Sequence, residues 1–435
     1  MNRTDRPRII FANLVNDLMV AAPAPRHALS LRAVSPRKIW LAHEGDIVVT
    51  PRAIDGSFKR YACSLLGIDP KRVLTLSPPT ELTEPLANAV RRSGMDRTLR
   101  DLVAERPGIE LLAFALDATT LQMAEEIGVP LVGYRRCPDQ DLRKTIYRLN
   151  TKSGFRAVAQ ELKLQVVPGF NCEGLDDLTF GIERLLEHHD GVFIKYDRSS
   201  NGYGHMAFGK EEISGCDLRA YLAERTATFS DQPQIFTVEA RMSFESTPSA
   251  EMIIAEEGPR LLYLCDQRCP NCSFSGMITP PVYLSPESNR QILCAGEVFA
   301  RYVYGLGYRG VCDVDGGVTA DGTLYVTETN FRRTGGTYLD ALVRRLLHED
   351  YLDTHVWWAD SRVGTPGLGF FDGWSALERA GLAFDPNRGI GVILTADSLD
   401  VDGKWRYLII AGTANEAAEI ESRIPTALGM ESASS

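Results

Sequence analysis

Residues 310–332, GVCDVDGGVTADGTLYVTETNFR, contain the pattern that decides the fold. Two segments in which apolar residues alternate with polar ones flank the pair Asp321–Gly322. Such alternation predicts β-strands, and Asp-Gly between two of them is typical of a two-residue type I′ turn. We therefore predict a β-hairpin in which Ala320 faces Thr323.

This hairpin brings acidic side chains from its two strands together. A two-residue loop places Asp315 opposite Glu328 and Asp313 opposite Asn330. Residues two apart on a strand share a face, and opposed β-carbons lie about 5 Å apart. Like charges at that distance repel unless something compensates them. Carboxylate and amide oxygens are ligands that Mg²⁺ accepts, so the pattern predicts a magnesium site.

The alternative is a hairpin whose polar face simply meets water. Two neighbouring features favour the metal site. Arg332 adds a cation to the same face, and residues 334–337, TGGT, predict a tight turn beside the acids. Asp315 is preferred over Asp313 as the metal ligand because the register sets it against Glu328, and the choice between the two aspartates stays open.

A second feature is the segment 193–205, FIKYDRSSNGYGH, in which a strand reaches Lys195 and a loop of small residues follows. Glycine and small hydroxyl residues let backbone N–H groups point into a concave surface, which suits phosphate oxygens. Lys195 would add a positive charge for the phosphates. The segment is not a Walker A loop, since G-x-x-x-x-G-K-[ST] is absent. A flexible turn is the alternative, and a phosphate contact is considered for His205.

Two single residues join the argument by their position. Lys152 stands at the predicted start of a helix, and Glu239 lies in residues 236–242, FTVEARM, on a strand that enters a linker. Taken alone, Lys152 is typical of a surface lysine and Glu239 of a charge on an edge strand. Their meaning depends on the order in which the four features occur.

That order resembles the ATP-grasp superfamily over residues 141–345: a lysine before a helix, a strand lysine with a glycine loop, a strand glutamate, then an acid and Glu-x-Asn-x-Arg. The most specific part is Asp315 with residues 328–332, ETNFR, and Gly335–Gly336. The region before it resembles the pre-ATP-grasp domain that usually precedes this fold.

A narrower resemblance is to the peptide ligases of pheganomycin-type biosynthesis. It is carried by Asn13, by residues 45–51, GDIVVTP, and by residues 199–205, SSNGYGH. The sequence departs from the superfamily pattern in two places. The loop begins with Ser-Ser-Asn where the family has a glycine run, and Asp313 is an extra acid beside the expected one.

The resemblance implies that ATP binds between two α+β lobes. It implies phosphate contacts from two lysines, a loop closing over the γ-phosphate, an adenine hinge and a ribose contact. The phosphate contacts are Lys152 and Lys195, and the closing loop contains Ser199, Ser200, Asn201, Gly202 and Gly204. The adenine hinge is Glu239 with the backbone of Ala240 and Met242, and the ribose contact is Glu251.

The resemblance also implies the remaining roles and the activity. Asp315, Glu328 and Asn330 would hold Mg²⁺, while Arg332 and Arg268 would stabilise the transferring phosphoryl group. The expected enzyme is an ATP-dependent carboxylate–amine ligase that joins an amino-acid-like acid to a peptide or other amine through an acyl phosphate. The alternatives are a phosphotransferase on the same scaffold and a non-catalytic ATP-binding protein.

The expected fold class is multi-lobed, α/β followed by α+β. Alternating strands and helices up to about residue 140, with Lys38–Leu41 among the strands, predict a parallel sheet. Residues 236–338 are predicted to be mostly strands. The expected divisions are a pre-ATP-grasp domain (1–140), a first ATP-grasp lobe (141–210), a second lobe with the hairpin (211–348) and a separate C-terminal α/β extension (349–435).

Composition narrows the class of protein. The chain has 435 residues, 44% hydrophobic and 24% charged, with a net charge of −10. Such an acidic chain argues against nucleic-acid binding, and no apolar run approaches the roughly 18 residues of a membrane span. The nine cysteines and the absence of a signal-peptide pattern favour the cytoplasm. A homodimer is expected only from the frequency of dimers.

Two further motifs have open interpretations. Cys269 and Cys272 form a C-x-x-C pair without the second pair that a zinc site needs, so a structural role is weighed against a redox or lid role. Trp357–Trp358 predicts hydrophobic docking of the C-terminal region, with a substrate platform as the alternative.

Overall fold

The protein is described by a computed structural model, which covers residues 6–20, 23–200, 202–227, 234–270, 273–365 and 367–430. The strands form three sheets, of four, eight and four strands. No helix within these ranges combines the length and apolar character needed to cross a bilayer. The expected fold class, a parallel-sheet domain followed by a two-lobed body of mixed α and β structure, is confirmed.

The N-terminal domain is built on a parallel sheet with helices on both faces. Its strands, in the order β3-β2-β1-β4, are β1 (Arg8–Phe11), β2 (Ile47–Val49), β3 (Leu74–Leu76) and β4 (Glu110–Ala113). Its helices are α1 (Pro25–Ala33), α2 (Gly56–Leu65), α3 (Leu86–Arg92), α4 (Met95–Glu105) and α5 (Ala118–Ile127). Successive residues of β1 pack into two different hydrophobic clusters, so both faces of the sheet are buried.

The strand expected at Lys38–Leu41 is wrong. Ser35–Leu41 is a 3₁₀ helix, with Pro36 in its first turn. A proline at this position costs no hydrogen bond because the first N–H groups of a helix have no internal partner. A short apolar run does not by itself distinguish a strand from a buried helical turn, and here the turn buries Ile39 and Trp40.

The second sheet belongs to the small lobe and is antiparallel, in the order β5-β8-β6-β7. The elements of this part of the chain are α6 (Gln140–Leu149), α7 (Lys152–Glu161), β5 (Gly169–Glu173), α8 (Gly174–Leu186), β6 (Gly191–Tyr196), β7 (Met206–Gly209), α9 (Leu218–Thr226) and β8 (Ile235–Ala240). The boundary expected at residue 210 is corrected by this sheet: β8 lies between β5 and β6, so the first lobe extends to residue 240.

The third sheet is antiparallel and has the order β13-β12-β9-β10-β11-β14-β16-β15. Its elements are β9 (Pro248–Ala255), β10 (Gly258–Arg268), β11 (Gly276–Thr279), α10 (Pro286–Gly305), β12 (Gly310–Val318), β13 (Leu324–Asn330), α11 (Thr337–Leu346), β14 (Val356–Val363), α12 (Phe370–Arg379), β15 (Gly391–Leu394), α13 (Leu399–Asp402), β16 (Lys404–Ala411) and α14 (Ala414–Leu428).

The C-terminal extension is α/β as expected, but it is not separate, because β14 pairs with β11 and continues the sheet of the second lobe. The same region packs on the N-terminal domain. Trp40 donates its indole N–H to the Thr395 carbonyl at 2.9 Å, and the rings of Phe58 and Tyr61 both lie 5.2 Å from Phe370. Trp357 is fully buried in this shared core, which fits its expected docking role.

Helix α10 was not foreseen among the predicted strands. Ser285 caps it through the Ser288 N–H, and Pro286 occupies its first turn. Its buried residues recur at helical spacing, Ile292, Ala295, Gly296, Phe299, Ala300 and Val303. This face packs against β9, β10 and β12, and so supports the strands that carry Glu251, Asp313 and Asp315.

Candidate active site

The acidic hairpin has the predicted pairing at its functional end. Asp315 lies opposite Glu328 and Asp313 opposite Asn330. The predicted two-residue turn, however, is wrong. The Thr319 N–H donates to the Thr323 carbonyl at 3.0 Å, and the Gly322 N–H donates to the Thr319 carbonyl at 2.8 Å.

A bulge explains why the pairing is nevertheless right. The longer turn pairs Val318 with Leu324 and Gly316 with Val326, one residue out of the predicted register. Thr327 is then the extra residue of a β-bulge, which restores the register before Glu328 is reached. The two departures from a regular hairpin cancel, so the acids meet as expected.

Strand β9 adds a fourth carboxylate to the row of three on the hairpin, Asp313, Asp315 and Glu328. Glu251 lies opposite Asp313 and is buried. Its carboxylate accepts hydrogen bonds from the hydroxyls of Thr334, at 2.9 Å, and Thr337. The TGGT turn predicted beside the acids thus anchors Glu251. The ribose contact expected of Glu251 has no support in these contacts, since both carboxylate oxygens accept from threonine hydroxyls in the turn before α11 and at its first residue.

Burial leaves this row with more negative charge than it can accommodate. Burial, followed by the charge of Glu251, raises the pKa of Asp313 to about 8, and Asp313 Oδ1 has no hydrogen-bond partner among the described residues. Burial and the charges of Asp313 and Glu328 raise the pKa of Asp315. Gln267 donates to Asp315 Oδ1 at 2.5 Å, a contact that the sequence did not indicate.

The donor set suits a divalent cation in its chemistry. Asp315 and Glu328 are opposed carboxylates, and the unpartnered oxygen of Asp313 lies beside them. Within the described part of the chain, no three His, Cys, Asp or Glu side chains are arranged as a metal cage. Mg²⁺ commonly takes only one or two carboxylates and completes its shell with water and phosphate oxygens, so a smaller set fits it.

Two lysines from the small lobe reach this hairpin. Lys152, at the first position of α7, places its ammonium 2.6 Å from Glu328 Oε1 and donates to the Ser199 carbonyl at 3.0 Å. Lys195, on β6, donates to the Thr327 carbonyl at 3.1 Å. Both are buried. Burial alone would raise the pKa of Glu328, but the charge and hydrogen bond of Lys152 hold it below its usual range.

Glu239 lies behind Lys195 in a buried ionic cluster. Its carboxylate is 2.7 Å from Lys195 Nζ and 3.1 Å from Arg156 Nη1. Arg156 also donates to the carbonyls of Val167 and Gly169, so the sheet holds this cation in place. The sequence did not single out Arg156, although its position four residues after Lys152 on one helix carried the signal.

The expected adenine hinge follows Glu239 at the end of β8. The Ala240 N–H donates to the Pro168 carbonyl at 2.8 Å, and Met242 packs against the hydrophobic core of the small lobe. Both residues stand where the chain passes from one sheet to the next. Their contact with adenine stays a prediction.

The glycine loop lies between the small lobe and the N-terminal domain. Ser199 and Ser200 are buried, and Gly202 and Gly204 have φ of 76° and 74°, which favours glycine at both positions. Asn201, the remaining predicted loop contact, lies outside the described residues. On the described part of the loop, the backbone conformation therefore explains the glycines without reference to a ligand.

His205 closes the loop inside the site. Its ring lies against Phe193, and neither ring nitrogen has a hydrogen-bond partner among the described residues. Burial, followed by the charges of Lys152 and Lys195, lowers its pKa to about 3. The imidazole is therefore neutral at physiological pH and can donate a hydrogen bond from one nitrogen only.

Arg332 ends the acidic row on the side of the N-terminal domain. It donates to Asn330 Oδ1 and, at 3.3 Å, to the Arg333 carbonyl. Its guanidinium lies 5.9 Å from the centre of the Phe114 ring, and its Nε is buried with no partner in the described structure. Asn330 Nδ2 in turn donates to Asp315 Oδ2 at 3.4 Å, so the arginine and the acids form one network.

Arg268 lies elsewhere. Alternation along β10 puts Gln267 on the face of Asp315 and Arg268 on the other face. Arg268 Nη2 donates to Glu421 Oε2 at 2.9 Å, its Nη1 is 3.4 Å from Asp360 Oδ2, and its guanidinium lies over the Trp358 ring. The structure does not bring it to the acidic row, and its contacts tie α14 to strands β10 and β14 of the sheet.

Of the cysteine pair, Cys269 lies within the described residues. Cys269 has a sulfur-to-oxygen distance of 3.6 Å to Gln267 Oε1, and Cys272 lies outside the described residues. The open choice between a structural and a redox or lid role therefore stays as it was.

Comparison with known proteins identifies the fold. A family model described as the pre ATP-grasp domain matches residues 35–129, and one described as the PGM1 C-terminal domain matches residues 374–424. No curated protein matches the chain. The first match covers the parallel-sheet domain after β1 and α1, and the second covers β15, β16 and most of the helices around them.

Solved structures align over nearly the whole chain. The ADP complex of the N5-carboxyaminoimidazole ribonucleotide synthetase purK has a TM-score of 0.60 at 14% identity, over 99% of this chain and 100% of that one. Biotin carboxylase from Campylobacter jejuni, in a β-γ-ATP complex, has 0.60 at 13%, over 97% and 91%. L-amino acid ligase from Bacillus licheniformis has 0.58 at 13%, over 98% of each chain. The chain has the ATP-grasp fold, preceded by a pre-ATP-grasp domain.

Proposed function

We propose that the protein is an ATP-dependent carboxylate–amine ligase that forms an amide bond through an acyl phosphate. One observation carries the proposal: Lys152 and Lys195 of the small lobe contact Glu328 and Thr327 on β13, directly opposite Asp315. Cations and paired acids that meet between two lobes provide the charges that phosphoryl transfer from a metal–nucleotide complex requires. Structures of the same fold that hold ADP or an ATP analogue support a nucleotide at this junction.

The proposed role of each site residue follows from its charge. Lys152 and Lys195 would bind the nucleotide phosphates, and Lys152 would then exchange Glu328 for a phosphate oxygen. Asp315, Glu328 and Asn330 would hold Mg²⁺, which when bound supplies positive charge to the phosphate oxygens. Arg332 stands beside Asn330, where it would stabilise the charge of the transferring phosphoryl group.

The proposed reaction needs no nucleophile from the enzyme, because the substrate carboxylate and the amine are the two nucleophiles. A carboxylate oxygen of the acid attacks the γ-phosphorus, the bond to the β-phosphate oxygen breaks, and ADP leaves. The amine then attacks the carbonyl carbon of the acyl phosphate, the carbon–oxygen bond to phosphate breaks, and the amine loses a proton. Water would destroy the acyl phosphate, so residues 199–204 would cover the site before transfer.

For the substrates we propose an amino-acid-like acid and the amine of a peptide. The motifs at residues 45–51 and 199–205 support this choice through their resemblance to pheganomycin-type ligases. The fold shared with an L-amino acid ligase is compatible with it. On this proposal, the product is a peptide natural product.

The test measures ADP and phosphate release from Mg²⁺-ATP with amino acids and short peptides supplied singly and in pairs. Mass spectrometry follows on every positive pair. Release that requires both an acid and an amine, with a product one water lighter than their sum, supports the ligase. A phosphorylated product from one substrate would instead establish a phosphotransferase, and ATP binding without turnover across the panel would favour a non-catalytic protein.

Variants tie the activity to the site. We expect Lys195→Ala and Glu328→Ala to abolish ADP formation. Lys144→Ala is the matched control, because Lys144 is exposed and forms its ion pair with Asp141 on the surface of α6. Wild-type turnover in either site variant would contradict the assignment.

A further inference from the structure

Lys38 is a buried cation without a hydrogen-bond partner. It lies in the 3₁₀ helix Ser35–Leu41 of the N-terminal domain and is 2% exposed. Its ammonium has no hydrogen-bond partner among the described residues. Burying a charged group without hydrogen bonds is strongly unfavourable, so a residue in this state indicates a missing ligand or a special environment.

The environment of Lys38 compensates only part of this cost. Its ammonium lies 4.4 Å from the centre of the Phe114 ring and 5.2 Å from that of Tyr338. Cation–π contacts of this kind are weaker than an ion pair with hydrogen bonds. Burial, followed by the charge of Arg37, holds the pKa of Lys38 well below its usual range.

Further cations surround the same place. Arg332 lies over the same Phe114 ring as Lys38, and its Nε is likewise buried without a partner. Arg37 lies over the Tyr338 ring at 4.8 Å, and the charge of Arg333 also acts on Lys38. Glu251 is the acid whose charge opposes them at Lys38, and it is bonded to two threonine hydroxyls. The positive groups therefore outnumber the available acid.

We propose that Lys38 and Arg332 together bind the carboxylate of the acid substrate. A carboxylate has two oxygens and would accept from both cations, giving the buried ammonium and the free Nε their missing partner. The proposal rests on the proposed function and deepens it, because it names the group that holds the acid.

The positions of Lys38 and Arg332 would orient the bound carboxylate for attack on the γ-phosphate. Arg332 is bonded to Asn330, at the end of the row that contains Asp315 and Glu328. A carboxylate held there by Arg332 lies beside the proposed phosphoryl position, and Lys38 holds it from the N-terminal domain. One oxygen can then attack the γ-phosphorus while the acid stays fixed, so Lys38 is a substrate-binding residue that also orients the acid.

The first test separates binding of the acid from binding of ATP. We expect Lys38→Met to raise the KM for the acid at least about tenfold and to leave the KM for ATP within about twofold. Lys38→Arg keeps the charge and should recover part of the loss. Lys59→Met is the matched control, since Lys59 lies in the same domain but donates to the Val73 carbonyl. An unchanged KM for the acid in Lys38→Met overturns the proposal.

The second test does not need turnover. Sodium acetate serves as the smallest carboxylate probe, compared with sodium chloride at equal ionic strength. We expect acetate to raise the thermal midpoint of the wild-type protein and to lose this effect in Lys38→Met. Without acetate, Lys38→Met should be at least as stable as the wild type, because it removes an uncompensated buried charge.

The two tests distinguish the failure of each idea. If no acid supports ADP release but the acetate effect depends on Lys38, the anion site stands and the ligase fails. If turnover occurs but neither the acid KM nor the acetate effect depends on Lys38, the ligase stands and the site fails. A large loss of stability in Lys38→Met with no acetate effect in the wild type or in Lys38→Arg would show that Lys38 serves only the fold.

Discussion

The ring of Tyr203 stacks on His27, with centroids 5.3 Å apart and an interplanar angle of 26°. His27 Nε2 also lies 3.2 Å from Ser200 Oγ. His27 is on α1 of the N-terminal domain, whereas Tyr203 and Ser200 belong to the glycine loop of the small lobe. The position of the loop is thus set partly by another domain.

His27→Ala should loosen this loop. Loss of one stacked pair costs about 1 kcal/mol, equivalent to about a fivefold change in an equilibrium. We expect the KM for ATP to rise by about that factor and the ratio of ADP to amide product to increase, since a looser loop admits water. His188→Ala is the control, because His188 is exposed at the end of α8. An unchanged product ratio would show that the stack does not guide the loop.

Magnesium should stabilise the protein through the opposed acids. We expect millimolar MgCl₂ to raise the thermal midpoint of the wild-type protein relative to EDTA, because a bound cation relieves the repulsion between Asp315 and Glu328. Asp315→Asn should lose most of this shift. Asp141→Asn, which changes an exposed aspartate, should keep it. Equal shifts in both variants would place the metal elsewhere.

The buried imidazole of His205 should make the fold sensitive to acid. Its pKa of about 3 in the folded protein lies below the usual value of 6.5, so below pH 6.5 the unfolded chain binds a proton that the folded chain refuses. The free energy of unfolding should fall by up to about 1.4 kcal/mol per pH unit on this account as the pH drops from 6.5 towards 3.

Urea unfolding at pH 7.5, 6 and 5 checks this. The free energy of unfolding should change less steeply with pH in His205→Gln than in the wild type, by nearly the contribution of one proton, since glutamine does not titrate. The other titrating groups contribute equally to the pH dependence of the wild type and of the variant, so they cancel when the two are subtracted. Identical slopes would mean that the loop opens before His205 is protonated.

The ionic cluster around Glu239 should matter to stability. Removing one partner of a buried pair leaves an uncompensated charge and costs about 3–5 kcal/mol. Glu239→Ala leaves both Arg156 and Lys195 without their carboxylate, so we expect a loss in this range in urea unfolding. Glu297→Ala breaks the exposed pair with Arg301 and should change stability by at most about 1 kcal/mol. Comparable losses would contradict the distinction.

The sequence was informative where local patterns decide the structure. The pairing of Asp315 with Glu328 followed from alternation and a turn, even though the turn itself is longer and a bulge at Thr327 corrects the register. A bulge is invisible in the pattern because it does not change which residues are apolar. The pairing of the acids on the hairpin was therefore predicted for a reason that was only partly right.

Long-range pairing could not be foreseen in the same way. Strand β8 joins the small sheet between β5 and β6, although the glycine loop, β7 and α9 separate it from β6 in the chain. Lys38 stands in an apolar segment that fits a strand or a helical turn, and its isolation depends on Phe114 and Tyr338, which are distant in sequence. Helix α10 carried a readable helical spacing that was missed.

The eight-stranded sheet has a mechanical consequence. It runs without interruption from the hairpin at one edge to β15 at the other, and its far strands share a core with the N-terminal domain. A hinge inside this plate would have to break the backbone hydrogen bonds between its strands. The antiparallel four-stranded sheet of the small lobe shares no strand with the eight-stranded sheet, so we expect any movement between the two to carry the small lobe as a unit. On the proposed function, the acid would stay on the eight-stranded sheet while the small lobe brings the nucleotide towards it.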